Sequence, residues 1–390
     1  MLPMQDTLDH LIDRIRHATQ TAQPLRLRGG GTKDFLGQSL QGEVLDTTAY
    51  AGILSYEPSE LVITVRAGTP LAEVEAALAE KGQCFAFEPP HFGHGATLGG
   101  MVAAGLSGPA RASVGAVRDF VLGARVINGK GEHLTFGGQV MKNVAGYDVS
   151  RLLAGSWGQL GLITEVSLKV LPVAPGEATL MCAGVSQPQA LALINRWGGQ
   201  PLPLNASAWV HDTGASPAQD YFFVRLRGAV AAVDAAVTKM RAEVQALGAQ
   251  VTRMDTAQAA ADWKASGEQT LAFFNPPGEQ DCLWRLSVPQ TAPELDVRVH
   301  GARCPQYIEW HGAQRWLWAP ADSAHHVREA AVQAGGHATL FRSSAASRQT
   351  QGDVDKQVGV YTPLNAVQQR IQDELKKQFD PAGIFNPHRV

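Results

Sequence analysis

The residues with the clearest chemical meaning in this chain are glycines. The stretch LRLRGGGTKDFLG, residues 25–37, sets Gly29, Gly30 and Gly31 between Arg28 at the end of an apolar run and the pair Thr32 and Lys33. Consecutive backbone N–H groups with no Cβ in the way can form a concave site for an anion, and a neighbouring ammonium adds charge to it. Taken alone, the triplet reads equally well as a flexible turn. It is not the dinucleotide fingerprint GxGxxG at a strand-to-helix junction, because residues 32–40 show no helix of the needed length.

Two further segments change the balance. GATLGGMVAAGLSG, residues 95–108, carries Gly95, Ala96, Thr97, Leu98, Gly99, Gly100, Ala103, Gly105, Ser107 and Gly108, and Gly115 follows shortly after. AGSWGQLGLIT, residues 154–164, adds Gly155, Ser156, Gly158, Gly161, Leu162, Ile163 and Thr164. Small residues and hydroxyls in three such segments are hard to explain as unrelated turns, and a large phosphorylated cofactor lying along them explains all three together. The 40 glycines crowd residues 29–161, well above the roughly 7% of average usage.

Regular elements must hold these segments. Leu8, Leu11, Ile12 and Ile15 have helical spacing, and residues 25–28 form a short strand ending at the triplet. LVITVRAG (61–68) alternates like a strand, and the helix after it has Thr69 as its expected N-cap, Pro70 at the first position and Gly82 beyond its end. A short apolar helix is expected near residues 98–105. VLGARVINGKGEHLTF reads as a hairpin turning on Asn128-Gly129 with positive φ at both corners. A strand over 162–170 closes this half near residue 175. The remainder follows a different pattern: strands near 178–184, 205–211 and 220–227, helices near 188–197 and 229–247, and a strand after them. The order βαββαβ suggests a ferredoxin-like layer, which later strands and a helix extend. The helix at 229–247 carries Val230, Val233, Val237, Met240, Val244 and Leu247 on one stripe. The tail, an amphipathic helix and a proline-ended extension, is expected to return to the first domain.

Composition narrows the function. A chain of 390 residues with 45% hydrophobic side chains has material for more than one core. A net charge of −3 without basic runs argues against nucleic acid or an anionic membrane surface as the main partner. There is neither a long apolar stretch nor a signal-peptide core, so a cytoplasmic protein without direct membrane insertion is expected. Cys84, Cys182, Cys282 and Cys304 lack the spacing of a zinc or iron–sulfur site and read as buried apolar residues. His91 and His94 have no third ligand nearby, and the adjacent His325 and His326 point different ways on a helix, so no metal is expected.

The motifs RGGGTK (28–33), ATLGGMVAAGLSG (96–108), VRDFVLGARVINGKGE (117–132), NVAGYDVSRLLAGSWGQLGLITEVSLKVLP (143–172) and FDPAGIFNP (379–387) resemble the vanillyl-alcohol-oxidase or PCMH type of FAD-binding protein. Within that type, and in EWHGAQRWLW (309–318), the chain is similar to the FAD-binding accessory subunits of bacterial glycolate oxidase, also called glycolate dehydrogenase. The resemblance spans the whole chain. It implies an α+β fold: a PCMH-type FAD-binding domain of two subdomains over 1–175, a ferredoxin-like cap domain over 176–350, and a tail over 351–390 that returns to the FAD domain.

It also implies roles. The Gly29 to Lys33 loop and the Thr97 to Gly100 turn would hold the pyrophosphate, Ala103 to Gly108 and Gly115 would lie along the cofactor, and the backbone from Gly161 to Thr164 would meet the adenine end. Some relatives link the flavin to a histidine in the first loop; Thr32 stands here, so FAD would be noncovalent. Relatives that oxidise 2-hydroxy acids themselves tend to carry a histidine-rich metal motif, and none follows residue 175. The implied role is therefore an electron-transferring flavin subunit of a glycolate-oxidising complex, with the substrate half-reaction mainly in a paralogous FAD-containing catalytic subunit and an iron–sulfur subunit as the other partner. Those partners would supply any attachment to the inner face of a membrane. An independent FAD-dependent 2-hydroxy-acid dehydrogenase of the D-lactate kind, or a structural subunit whose flavin does not cycle, are the rival readings.

Other residues have plainer readings. Trp310, Trp316 and Trp318 sit in strand patterns, where packing outweighs a redox relay. Arg225, Arg285, Arg298, Arg303 and Arg342 are the candidates for a carboxylate clamp, with Arg342 preferred. Tyr147 and Asp148 would lie near the flavin ring by the resemblance, although Asp148 fits a helix cap equally well.

Overall fold

The computed structural model describes residues 4–138, 148–350 and 353–389. It divides into two compact units: Met1–Ser107, Gly115–Val173 and Pro363–Val390 in the first, Gly108–Val114 and Ala174–Thr362 in the second. Two boundaries differ from the expected ones. Residues 108–114 leave the first unit because the second one holds them: Trp310 Nε1 donates to Gly108 O at 2.9 Å, the Arg111 guanidinium lies 4.4 Å from the Trp310 ring centre, and Ser113 Oγ meets His311 Nε2 at 2.8 Å. The return to the first unit comes at 363, not 351, because Leu340 N donates to Val360 O and Thr339 bridges Tyr361, which bind this stretch to an edge strand of the second unit.

In the first unit, the helix Met4–Thr21 buries Leu8, Leu11, Ile15 and Ala18, the face that the helical spacing marks. These side chains share a core with Leu25, Leu45, Ile127, Leu162 and Phe385. The strand Leu25–Arg28 pairs in parallel with Glu43–Asp46. An antiparallel sheet of five strands runs in the order Ile53–Glu57, Val62–Arg66, Leu162–Lys169, Val121–Ile127, His133–Gly137. The tail does come back to this unit: Leu25 N donates to Ile384 O, and Asn386 N to Leu25 O. Buried Asp380 fixes the return by accepting from Ile384 N, Phe385 N and Lys376 Nζ.

Two local expectations fail here for identifiable reasons. Thr69 does not cap the helix Leu71–Ala79; Pro70 holds that position, and the Thr69 hydroxyl instead accepts from Gly52 N and donates to Arg66 O. The hairpin does not turn on two residues. It uses a loop over 128–132 in which the Asn128 side chain accepts from Lys130 N and Glu132 N, and only Gly131 has positive φ, at 72°. Gly129 is needed for another purpose: a Cβ there would meet the Asp380 carboxylate at 2.6 Å.

The second unit is built on an eight-stranded sheet. Its first four strands, Gly176–Ala183, Leu204–Asp212, Gln219–Gly228 and Gln250–Arg253, pair in the spatial order fourth, first, third, second, the ferredoxin-like arrangement. The next four, Asp281–Ser287, Gln306–Glu309, Gln314–Pro320 and His337–Arg342, repeat that order reversed, and the two second strands join the halves with Trp209 opposite Ile308. Alternation gives each half its core. Leu180, Cys182, Phe222 and Val224 lie with Trp197, Val233, Met240 and Val244 in one cluster, and Cys282, Trp284, Leu286, Leu317 and Leu340 lie with Val327 and Ala331 in the other. At the ends of the expected helical stripe, Val230 and Leu247 are exposed.

Candidate functional site

The glycine triplet answers first to packing. A Cβ on Gly30 would sit 1.4 Å from the carbonyl oxygen of Gly95, so only glycine lets loop 29–33 approach the backbone of the second glycine segment. Gly99 does the same at the start of the helix Leu98–Ala104, where an added Cβ would lie 2.5 Å from Ala67 Cβ.

What the two segments do with their donors differs. At the helix start the first N–H groups are satisfied internally: Leu98 N donates to Thr69 O, Gly99 N to Ala67 O, and Gly100 N to the Thr97 hydroxyl at 3.2 Å. In the loop, the N–H groups of Gly29, Gly30, Gly31 and Thr32 have no acceptor among the described residues. Buried or half-buried backbone donors are nearly always paired in a folded protein, so a run of unpaired amides on a cavity wall marks a site for an anion.

The cavity they line is closed by Arg28, Lys33 and Asp34 on the same loop, by Thr97, Gly99, Gly100 and Ala103 of the helix segment, by Gly158, Leu162 and Ile163, and by Asn386 and Arg389 of the tail. Its cations are held in place. Lys33 Nζ donates to His91 O at 3.1 Å, and Arg389 donates to the carbonyls of Lys33, Asp34 and Gln38 while its guanidinium lies 5.5 Å from the Trp157 ring centre. Arg28 and Arg26 share Asp34. Four open amides, the hydroxyls of Thr32 and Thr97, and two fixed cations form a donor set suited to a phosphorylated cofactor.

Several glycine-segment residues named from the sequence lie outside this lining and have structural work. Gly95 packs against Gly30, and Ala96 O accepts from Leu71 N. Leu98 is buried in the core, and Gly105 ends the helix with φ of 63°, against Gly155. Ser107 Oγ accepts from Val117 N, Gly115 sits over Asp119, and Gly108 belongs to the second unit. Ser156 bonds Leu153 O, Gly161 abuts Ile127 O, and Thr164 donates to Arg125 O. Conversely, Leu27, Asp34, Thr47, Ala67, Trp157, Asn386 and Arg389 line the cavity without having been singled out. The terminal FDPAGIFNP motif was the signal for the last two, since it brings them back beside the loop.

Tyr147 lies outside the described residues. Asp148 caps the helix Val149–Leu153 and pairs with Arg151. His91 pairs with Glu75 at 2.9 Å, and among the described residues no group of three or more His, Cys, Asp or Glu could hold a metal ion. The three tryptophans take packing roles with their N–H groups satisfied, Trp310 on Gly108 O, Trp316 on Glu309 and Trp318 on Phe273 O. Burial holds the neighbouring His311 imidazole neutral, with its pKa pushed down to about 4. Of the arginines, Arg225 bonds Asn205, Arg298 and Arg303 pair with surface acids, and Arg342 donates to Gln269 at 3.0 Å, burial lowering its pKa to about 10. Arg342 is thus already engaged within its own unit.

The fold and the cavity define an FAD-binding flavoprotein. A family described as FAD binding domain matches residues 5–137. Alkyldihydroxyacetonephosphate synthase has a similar fold, with a TM-score of 0.66 at 15% identity, covering 97% of this chain and 74% of that one. Over its full length the chain is 41% identical to glycolate oxidase subunit GlcE of Escherichia coli (strain K12), covering 99% of that protein, and it belongs to that family of glycolate oxidase subunits. Partial likeness extends further: 33% identity over 160 residues to glycolate oxidase subunit GlcD of Bacillus subtilis (strain 168), and 32% over 161 residues to D-lactate dehydrogenase of Archaeoglobus fulgidus, spanning 34% and 35% of those proteins. No helix among the described residues is long and apolar enough to cross a membrane.

Proposed function

We propose that the chain is the FAD-binding subunit of a heteromeric glycolate oxidase that converts glycolate to glyoxylate, its flavin relaying electrons to an iron–sulfur partner while the substrate half-reaction falls mainly to a paralogous FAD-containing catalytic subunit. The observation that carries the cofactor half of this reading is the run of unpaired amides from Gly29 to Thr32 on the cavity wall. When bound, FAD supplies a two-electron acceptor. The chain's own residues bind and orient it: the Gly29–Thr32 amides take phosphate oxygens, Lys33 and Arg389 balance the charge, and Trp157 and Leu162 wall the cavity. With Thr32 in the loop there is no imidazole at that position for a covalent link, which supports noncovalent FAD.

The test is the visible spectrum of the purified chain, followed by glycolate without oxygen, alone and with the partner subunits. Flavin bands that bleach only with partners support the relay role. Bleaching of the chain alone would make it the oxidising subunit, and no flavin in either preparation would overturn the cofactor assignment.

A further inference from the structure

The second unit holds a cavity of its own. Alternation commits Trp209, Phe222, Ile308 and Leu317 to the cores under the helices, so Ala208, Val210, Phe223, Tyr307 and Trp318 lie on the other face of the sheet. The helix Thr256–Gly267 lies over that face, with Trp263 Nε1 donating to Thr179 Oγ at 3.0 Å. A short turn, Ala272–Phe274, follows it, and Trp318 Nε1 donates to Phe273 O at 2.7 Å. Sheet, helix and turn enclose a cavity of about 640 Å³, within the range of small-ligand pockets.

The chemistry of the walls selects the ligand. Their buried donors are already spent: besides the two indole N–H groups, Ser266 Oγ donates to Glu309 Oε1 and so accepts from the Tyr307 hydroxyl. Among the described residues no Lys or Arg lines the cavity, and its histidine, His211, pairs with Asp220 at 2.7 Å. Asp212 and Asp262 do line it, and neither is ion-paired with a described residue: Asp212 accepts from Gly214 N and Asp262 from Gln258 Nε2. An anion would find no opposite charge here, whereas aromatic faces beside unpaired carboxylates attract a cation that sheds its water. The Trp263 ring already shows this preference, with the Arg225 guanidinium 5.0 Å from its centre. Phe223, Phe273, Tyr307 and Trp318 remain for a ligand, the ring centres of Phe273 and Tyr307 being 5.4 Å apart.

We propose that this cavity binds an organic cation with an apolar body, of the quaternary-ammonium or protonated-amine class, with Phe273, Tyr307 and Trp318 as the ring wall and Asp262 as the counter-charge. The inference does not rest on the flavin reading, because the two cavities share no residue and each is lined by a single unit.

The test uses the full chain and probes that share a benzene ring and differ in charge: benzyltrimethylammonium, benzyl alcohol and benzenesulfonate. Tryptophan fluorescence and calorimetric titration follow their binding, with and without added FAD. The ammonium should bind saturably and about tenfold tighter than the alcohol, and the sulfonate should not bind. Asp262→Asn should weaken the ammonium about fivefold and leave the alcohol unchanged, whereas a merely structural change would weaken both. Phe273→Leu keeps an apolar side chain, removes the π face and should weaken the ammonium about tenfold. Asp234→Asn, at an exposed acid on the helix Val230–Gln245, should bind as the parent does. No saturable binding of the ammonium, equal binding of the alcohol or the sulfonate, or unchanged ammonium affinity in both the Asp262 and Phe273 variants would overturn the proposal. Competition between the ammonium and FAD would overturn it too, by placing the probe in the other cavity. A chain that binds the ammonium without carrying flavin would sink the cofactor assignment and leave this one standing.

Discussion

Two glycine-rich regions of one unit use the same residue for opposite ends. In loop 29–32, where Gly30 packs on the Gly95 carbonyl, the four amides also lie on a cavity wall with no acceptor among the described residues. At the start of the helix Leu98–Ala104 the missing side chains let backbone approach backbone, and the first amides there are consumed by Thr69 O, Ala67 O and the Thr97 hydroxyl. A glycine cluster therefore signals close approach, and only the hydrogen-bond account shows whether the neighbour is the protein or a ligand.

The contrast can be broken by experiment. The largest effect is expected from Gly30→Ala: its Cβ would overlap the Gly95 carbonyl at 1.4 Å, and backbone cannot swing aside as a side chain can. Stability should fall by at least ~3 kcal/mol in chemical denaturation, and the flavin absorbance of the purified protein should vanish. A variant that keeps its flavin would show that the loop does not hold the cofactor. Next, FAD at about 100 times its dissociation constant should stabilise the parent by about 2.7 kcal/mol, seen as a concentration-dependent melting temperature. Melting that ignores added FAD in a flavin-free parent would contradict a site in this unit.

Gly99→Ala should cost about 2 kcal/mol, since its Cβ would press on Ala67 Cβ at 2.5 Å, while flavin affinity changes by less than the parent-to-Gly30→Ala difference. Loss of flavin without loss of stability would mean that the helix-start wall of the cavity matters to the cofactor as much as the loop does. The smallest effect belongs to Thr97→Ala, which removes the cap on Gly100 N and should cost about 1 kcal/mol, with Thr97→Ser close to neutral in the same melts.

Much of the architecture could be read in advance because its signals are local. Helical spacing in Leu8, Leu11 and Ile15 marked the buried face of the first helix, and the alternation of LVITVRAG marked the strand Val62–Arg66. The first ferredoxin-like half followed from element order alone. Its reversed repeat did not, because strand pairing joins residues far apart in the chain, as Trp209 and Ile308 are, and their spacing carries no trace of it. The hairpin loop failed for a related reason: Asn128-Gly129 has the composition of a tight turn, yet Gly129 is there to clear Asp380.

The sequence by itself determined the periodicities, the glycine segments and the set of motifs that place the chain among FAD-binding glycolate oxidase subunits, since each depends on residues close together in the chain. Only the tertiary structure decided which donors remain open, that Asn386 and Arg389 join the Gly29 loop, and that Arg342 is engaged by Gln269. An unsatisfied group is defined by everything that fails to reach it, and that is a property of the folded chain as a whole.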